Sequence, residues 1–158
     1  MSWPYEEILA GEVWLRFPPG ARHKAICDRL HEHMQASLVV APGVRLLPVR
    51  TLVEIRTGTM VRPDLALLDA QTGKLWLAVE IINSGDHHPD TVVKKDVYEE
   101  INVPRLWIVD PRYDNVEVYH SSEHGLTLKA ILAGQELLTE SALPFFEVKI
   151  AELFRAST

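Results

Sequence analysis

Two acidic residues inside apolar segments are the first sign of chemistry in this sequence. Glu80 lies within the otherwise apolar run 75–82, and Asp64 follows Pro63 at the start of a second apolar run. A carboxylate is costly to bury in apolar surroundings unless it is paired or bound to a metal. The sequence therefore predicts that each acid has a partner, either a cationic side chain or a metal ion.

A β-hairpin would bring these two acids together. The segment between the two runs carries turn chemistry, and folding about Thr72 places Asp64 opposite Glu80. The same register places Asp69 opposite Leu75. Opposed side chains on one sheet face lie about 5 Å apart, where two like charges are destabilising unless a cation separates them or one is protonated. A slip of one residue would put the acids on opposite faces of the sheet.

A lysine is expected above the two acids. A helix is predicted to begin near Pro89, with Asp90 as its N-cap residue. At about 100° per residue, one side of this helix carries a set that faces the sheet, namely Asp90, Lys94, Val97, Tyr98 and Ile101. Lys94 is therefore predicted to face the sheet, whereas Lys95 is expected to face solvent.

Two acids and a lysine are the residue types that metal-assisted phosphodiester hydrolysis requires. Mg²⁺ prefers oxygen ligands, and we expect the Asp64 and Glu80 carboxylates and the backbone carbonyl of Ile81 to hold it, with Mn²⁺ as a substitute. The ion would polarise a phosphate and lower the pKa of an attacking water. Lys94 would position that water or stabilise the charge that develops on the phosphoryl oxygens.

The order of the predicted elements favours one mixed α/β domain over residues 1–158, in which helices flank a central β-sheet. Alternation, helical periodicity and breakers predict strand 12–17, helix 21–37, strands 44–47, 51–56, 62–69 and 75–82, a helix from about 89 to 102, strand 105–110, a hairpin of 114–120 and 126–132 with its turn at 121–125, strand 145–150 and a helical turn at 151–154. Residues 57–59 are predicted to be a loop.

The composition limits the classes of function. A net charge of −6, from 16 basic and 22 acidic residues, argues against a protein that coats nucleic acid without regard to sequence. A nucleic-acid enzyme remains compatible, because a metal ion neutralises part of an acidic site. The longest apolar runs fall short of the roughly 20 residues that span a bilayer, and the N-terminus lacks signal-peptide regions. With Cys27 as the single cysteine, these features favour a cytoplasmic protein.

The ordered set Pro63-Asp64, Glu80, Lys94, Tyr98 and 103–111 resembles the PD-(D/E)XK nuclease superfamily. It is most similar to the large bacterial branch, common in cyanobacteria, that is described as putative restriction endonucleases. That branch typically shows Pro-Asp, then Glu-Val with a nearby Ser, then Asp-x-x-x-Lys-x-x-x-Tyr, and then Val-Pro-x-x-Trp-x-Val-Asp-Pro. The likeness covers most of the chain.

Two further positions extend this resemblance. The stretch 7–12 looks like the branch's Glu-Leu-x-x-Gly-Glu opening, and His23 stands where a histidine begins the first helix. The commoner form of the superfamily has its lysine two residues after the glutamate, where this chain has Ile82. In this branch the lysine has moved to the helix, which is where Lys94 stands.

The resemblance implies a restriction-endonuclease-like core and a Mg²⁺-dependent endonuclease that acts on nucleic acid, with DNA as the expected substrate. It implies Asp64, Glu80 and Lys94 as the catalytic set. A homodimer is plausible, because restriction-like enzymes often cut two strands by pairing two sites.

The sequence leaves two interpretations open for several residues. Glu7 is either an additional metal or water ligand or, as the sequence favours, a solvated helix acid. Ser84 and Asp90 either contact the metal ligands or serve as a loop hydroxyl and a helix cap, and Tyr98 either contacts the ligands or fills the core. The adjacent histidines at 87–88 lack further ligands at zinc spacing.

The site as a whole also keeps two readings. Glu80 would form a salt bridge with Lys94 if no metal were bound. The chain would then be a catalytically inactive relative of the nucleases that serves as a nucleic-acid-binding or scaffolding module.

Overall fold

The computed structural model describes residues 4–83 and 92–156. Its strands and helices, in chain order, are β1 (Tyr5–Leu9), β2 (Glu12–Arg16), α1 (Ala21–Leu38), β3 (Val44–Leu46), β4 (Val53–Arg56), β5 (Thr59–Val61), β6 (Leu65–Asp69), β7 (Leu75–Ile81), α2 (Lys94–Glu100), β8 (Arg105–Asp110), β9 (Asn115–Ser122), β10 (Gly125–Ala133), β11 (Leu137–Thr139), β12 (Glu147–Lys149) and α3 (Ile150–Phe154). The predicted mixed α/β class, a central sheet flanked by helices, is confirmed.

The most apolar runs form the central six-stranded sheet, in the order β10-β9-β8-β7-β6-β3. β7 and β8 run parallel, and the other neighbouring strands of this sheet are antiparallel. A second sheet has the order β2-β1-β5-β4, and β11 pairs with β12. The carboxyl ends of the two parallel strands therefore lie side by side at one edge.

Alternation along the central strands creates two apolar layers. One layer joins the strands to α1 and α3, through Ile26, Leu30, Val79, Trp107 and Leu153 among others. The opposite layer joins Ala78, Ile82 and Ile108 to Val97 and Tyr98 of α2. Glu80 is two residues from both Ala78 and Ile82 along the chain, so its side chain lies on the same face as theirs, the one that packs against α2.

The pairing of β6 with β7 determines how the two predicted acids meet. Leu65 pairs with Val79, and the next two pairs follow the same register. Continued by one residue beyond β6, this register would bring Asp64 opposite Glu80, which is the predicted arrangement.

Nearer the turn the register shifts, and Leu68 rather than Asp69 pairs with Leu75. The prediction that Asp69 faces Leu75 is therefore wrong. The Asp69 side chain instead accepts hydrogen bonds from the backbone N–H groups of Gln71 and Thr72, which tighten the turn.

The N-terminal segment differs from the expectation of a helix around Glu7. β1 pairs antiparallel with β2, and Glu7 lies opposite Trp14. Ala10 and Gly11 both have positive φ angles, 51° and 81°, which allow the chain to reverse within two residues. A strand this short, with two adjacent acids, carries too little alternation to be predicted from sequence.

Other differences concern short elements. Thr59 begins strand β5, although residues 57–59 were predicted to be a loop, and β11 was not predicted. The turn between β9 and β10 contains only residues 123–124, because both strands extend further than their apolar residues indicate. The remaining predicted strands and helices are present, with ends that differ by a few residues.

Helix α2 presents the predicted residues to the sheet. Lys94, Val97 and Tyr98 are buried, whereas Asp96 is exposed. Lys95 is half-buried rather than fully solvated, because its Nζ lies 4.6 Å from the centre of the Tyr119 ring. The predicted helix start at Pro89-Asp90 and the predicted Ser84 contact lie outside the described residues.

Among the helices within residues 4–83 and 92–156, each is too short or too polar to cross a membrane.

Candidate functional site

The centre of the candidate site is the amino group of Lys94, which lies between two glutamates. Its Nζ is 2.6 Å from Oε1 of Glu80 and 2.7 Å from Oε2 of Glu7. The Tyr98 hydroxyl, one helical turn beyond the lysine, donates to Oε2 of Glu80 at 3.0 Å. The residues Glu7, Glu80 and Lys94 expose at most 2% of their surface. The Lys94 side chain therefore points from α2 toward the sheet, as predicted.

Glu7 is a member of this cluster and not a solvated helix acid, so that reading is wrong. Its Oε1 accepts a bond from Nη1 of Arg16, and its Oε2 accepts the backbone N–H of Arg62 at 2.7 Å. Position 7 faces inward because it alternates with exposed Glu6 along β1. Glu7 therefore joins β1, β2 and the segment before β6 to the lysine of α2.

Asp64 lies beside this cluster, immediately before β6. Its Oδ2 accepts the backbone N–H of Ile81 at 2.8 Å. Its Oδ1 lies 3.2 Å from Nε2 of His23 and 3.3 Å from Nη1 of Arg50. Asp64 is thus held between the last residue of β7 and the first turn of α1.

The surroundings of Asp64 favour its charged form. Burial by itself would raise the pKa of this carboxyl. The hydrogen bond and charge of His23, the Ile81 N–H and the charge of Lys94 outweigh burial, and the pKa of Asp64 lies below its usual range. The carboxylate is therefore available as a hard oxygen ligand.

Sequence reasoning missed three residues that contact the acids, namely Arg16, His23 and Arg50. His23 was noted without a role, although it stands on the apolar stripe of α1 with Ile26, Cys27 and Leu30, where a polar side chain needs a partner. Arg16 lies two residues after Trp14 and shares with it the inward face of β2. Arg50 carries no such signal, because it lies in an irregular segment with a positive φ of 55°.

Tyr5 also faces the cluster and was not predicted to do so. The Arg16 guanidinium lies 5.9 Å from the centre of its ring. Burial and the charge of Asp64 raise the pKa of Tyr5 well above its usual value, against the effect of Lys94 and Arg16. Its phenol therefore stays protonated and can donate a hydrogen bond at the site.

The donor set suits Mg²⁺ in its chemistry. Within the described ranges, no three His, Cys, Asp or Glu side chains are arranged to hold a metal ion by themselves. Mg²⁺ does not need such a cage, because it is often bound by one or two carboxylates, several waters and the phosphate of a substrate. Glu80 on β7 and Asp64 immediately before the neighbouring strand β6 supply two carboxylates, so the residues fit the ion. The amide of Ile81 contacts Asp64, while the ligand role of its carbonyl stays a prediction.

Cations balance much of the acidic charge in the site. Lys94 and Arg16 approach Glu7, Lys94 approaches Glu80, and Arg50 approaches Asp64. Burial of three carboxylates without such partners would be very unfavourable. The cluster is therefore both a stable ionic network and a fixed set of charges next to two potential metal ligands.

Comparisons with known proteins identify the fold and the family of this chain. A crystal structure of a putative nuclease belonging to DUF820 from Anabaena variabilis ATCC 29413 superposes with a TM-score of 0.79 at 14% identity, over 96% of this chain and 90% of that one. This likeness shows a shared fold. No curated protein sequence matches the chain. The sequence model of the Uma2 family, described as "Putative restriction endonuclease", matches residues 2–151. This chain belongs to the Uma2 family of putative restriction endonucleases.

Proposed function

We propose that this protein is a Mg²⁺-dependent endonuclease that hydrolyses phosphodiester bonds of DNA. The observation that supports it best is the position of the buried Lys94 amine, which lies 2.6 Å from Glu80. Glu80 belongs to β7, the strand that pairs with β6 next to Asp64. Family membership and the fold support the nuclease class. In this proposal Asp64, Glu80 and Lys94 are the essential set.

The two strand carboxylates would hold the metal ion. Asp64 and Glu80 are oriented before any ligand arrives, because the Ile81 N–H fixes the first and the Tyr98 hydroxyl fixes the second. A bound Mg²⁺ supplies Lewis acidity and lowers the pKa of a bound water. Because outer hydrogen bonds orient metal ligands, Tyr98 is assigned a positioning role.

Lys94 would stabilise negative charge on the phosphoryl oxygens. Glu7 and Glu80 hold its Nζ from two sides, so the amine is fixed before substrate binds. Fixed charges in a site shielded from water stabilise a transition state more than mobile ones, because they need no reorganisation during the reaction. Arg16 supports this arrangement through Glu7.

A plasmid-cleavage assay tests the proposal. Wild-type protein is incubated with supercoiled plasmid and Mg²⁺ or Mn²⁺, beside Asp64→Ala, Lys94→Ala and the control Lys95→Ala. Lys95 is the neighbouring lysine that packs over Tyr119, outside the cluster. We expect the first two variants to lose about 100-fold or more in rate, and chelation by EDTA to abolish cleavage. Equal cleavage by all four proteins would show a contaminant.

The alternative is a catalytically inactive relative that binds or scaffolds nucleic acid. The salt bridge between Glu80 and Lys94 favours it, because this contact satisfies the glutamate without a metal. Titration calorimetry with Mn²⁺ separates the two readings. Binding heat that disappears in Asp64→Ala supports the enzyme, whereas no heat from folded wild-type protein supports the alternative.

Four accompanying proposals have their own tests. Cleavage of matched DNA and RNA duplexes decides the nucleic-acid preference, and sedimentation with and without duplex decides whether two copies pair. Fractionation of cells that express the chain tests the proposed cytoplasmic location. For Ser84 and Asp90, Ser84→Ala and Asp90→Ala would lower the rate if these residues contact the metal ligands.

A further inference from the structure

A groove of about 390 Å³ opens next to the acid cluster, where three segments of the chain meet. Its lining consists of the first turn of α1, the two residues after β7 and the two residues after β8: Gly20, Ala21, Arg22, His23, Ile82, Asn83, Pro111 and Arg112. β7 and β8 are the parallel pair of the sheet. In α/β folds, ligands bind outside the carboxyl ends of parallel strands, which is where this groove lies.

The α1 side of the groove presents an uncapped helix N-terminus. Gly20 is the N-cap residue and provides no side-chain hydrogen bond, and the first turn contains no acidic residue. The first backbone N–H groups of an 18-residue helix therefore have no capping side chain at Gly20 and lie at the positive end of its dipole. Such an end favours an anion.

A second observation points to a ligand at the same place. His23 lines the groove and is 5% exposed, and its Nδ1 has no hydrogen-bond partner among the described residues. Buried polar atoms are nearly always satisfied, so this ring nitrogen calls for a hydrogen-bond partner that the described residues do not supply. The other ring nitrogen lies 3.2 Å from Oδ1 of Asp64. His23 therefore stands between the groove and the catalytic carboxylate.

Two arginines complete the positive lining. Arg22 donates to the Pro111 carbonyl at 2.8 Å and pairs with Asp114. Arg112 contacts both oxygens of Asp110, at 3.0 and 2.9 Å. Both arginine side chains are partly exposed, and a guanidinium carries five N–H donors, so donors remain for a further anion. Positive side chains that line a groove on an otherwise acidic protein are expected of a phosphate site.

We infer that this groove binds a backbone phosphate of the nucleic-acid substrate, next to the phosphodiester that is cleaved. The inference rests on the proposed function, since it assigns a contact of the same substrate. The α1 N-terminus and the arginines hold the phosphate, and His23 links its position to that of Asp64. The site fixes the register of the strand and reads no base.

The sharpest test is Gly20→Asp, which places a carboxylate at the N-cap. A Cβ at Gly20 meets no atom within 4 Å, and Asp is a favoured N-cap residue, so the variant should fold with an unchanged or higher Tm. Gly43→Asp is the matched control, with the same charge change, equally open space and a position outside the groove. Arg22→Gln removes positive charge without adding a competing anion.

The readout is binding of a short fluorescein-labelled DNA duplex by anisotropy, in EDTA and at several salt concentrations. We expect Gly20→Asp and Arg22→Gln to weaken binding about tenfold and to reduce the salt slope by about one, while Gly43→Asp matches wild type. Competition with inorganic phosphate and with a 5′-phosphorylated strand separates an internal phosphate from a terminal one.

The outcomes distinguish the two proposals. Wild-type binding that these variants weaken, without cleavage in Mg²⁺ or Mn²⁺, supports the phosphate site and refutes the enzyme. Cleavage with unchanged affinity and salt slope in both variants refutes the phosphate site alone. A wild-type protein that binds no duplex also refutes it.

Discussion

The Nζ of Lys94 lies 2.7 Å from Oε2 of Glu7, and this contact joins helix α2 to the N-terminal strand β1. Both side chains are buried. Arg16 approaches the other oxygen of Glu7, so one glutamate contacts two cations. The position of the lysine beside Glu80 therefore also depends on a residue of the second sheet.

Glu7→Gln should destabilise the protein strongly. Removal of this carboxylate takes away a buried negative charge that contacts both Lys94 and Arg16, and we expect the free energy of unfolding to fall by about 3 kcal/mol. Glu6→Gln is the control, because Glu6 is exposed on the same strand and should change stability by less than about 0.5 kcal/mol. Urea unfolding measures both, and equal effects of the two substitutions would contradict the assigned role.

Tyr98→Phe should slow the reaction and leave the core packed. The substitution removes the 3.0 Å hydrogen bond to Glu80 and keeps the ring. We expect a loss of about tenfold in cleavage rate, because an outer partner no longer orients a metal ligand, and about 1 kcal/mol in stability.

Tyr119→Phe is the matched control for that prediction. It removes a tyrosine hydroxyl that donates to Glu117 at 3.1 Å, away from the acid cluster. Its cleavage rate should equal that of wild type. A Tyr98→Phe enzyme that cleaves as fast as this control would remove Tyr98 from the site.

Gly125→Ala should destabilise the contact that holds α2 against the β9–β10 hairpin. Gly125 has a φ of +99°, and a Cβ there would lie 2.7 Å from Cδ of Glu99. Glu99 would have to move, and its carboxylate would lose the 3.0 Å hydrogen bond that the backbone N–H of Leu126 donates to it. We expect a cost of about 2 kcal/mol by thermal or urea unfolding.

Two variants separate strain from the contact. Gly73→Ala also has a positive φ, of 72°, but meets no atom within 4 Å, and it should cost only about 1 kcal/mol. In a Glu99→Ala background, the cost of Gly125→Ala should fall to the same value. If the cost did not fall in that background, the contact with Glu99 would not contribute to the destabilisation.

Cys27 should make the protein less stable in alkaline solution. Burial, with the charge of Asp64, raises the pKa of this thiol to about 12. An unfolded thiol ionises near pH 8.5, so above about that pH the unfolded state binds fewer protons and stability falls as pH rises. Urea midpoints between about pH 8 and pH 10 should therefore fall more steeply for wild type than for Cys27→Ala. Parallel curves would show that the thiol is accessible in the folded protein.

The acids and the lysine were predictable because each rests on local physics. Alternation and turn chemistry placed Asp64 opposite Glu80, and helical periodicity turned Lys94 toward the sheet. The bulge near Leu68 lies between the turn and these pairs, and it left the register at the acids unchanged. The ordered motif also identified the family before the fold was known.

The partners of the acids were not predictable from local patterns. Glu7, His23 and Arg50 reach the site from β1, from α1 and from the segment between β3 and β4, and no periodicity relates one of these segments to another. Short strands such as β1 form because a neighbouring strand supplies their hydrogen bonds, and that pairing is a long-range event.

The sequence by itself determined the fold class, the inward side of Lys94 and, with the ordered motif, the three residues of the proposed catalytic set, because side-chain periodicity depends only on backbone geometry. Only the tertiary structure decided which cations balance the acids and that the N-terminus of α1 borders an open groove near Asp64. Those relationships join residues far apart in the chain, and they exist only once two layers have packed on the sheet.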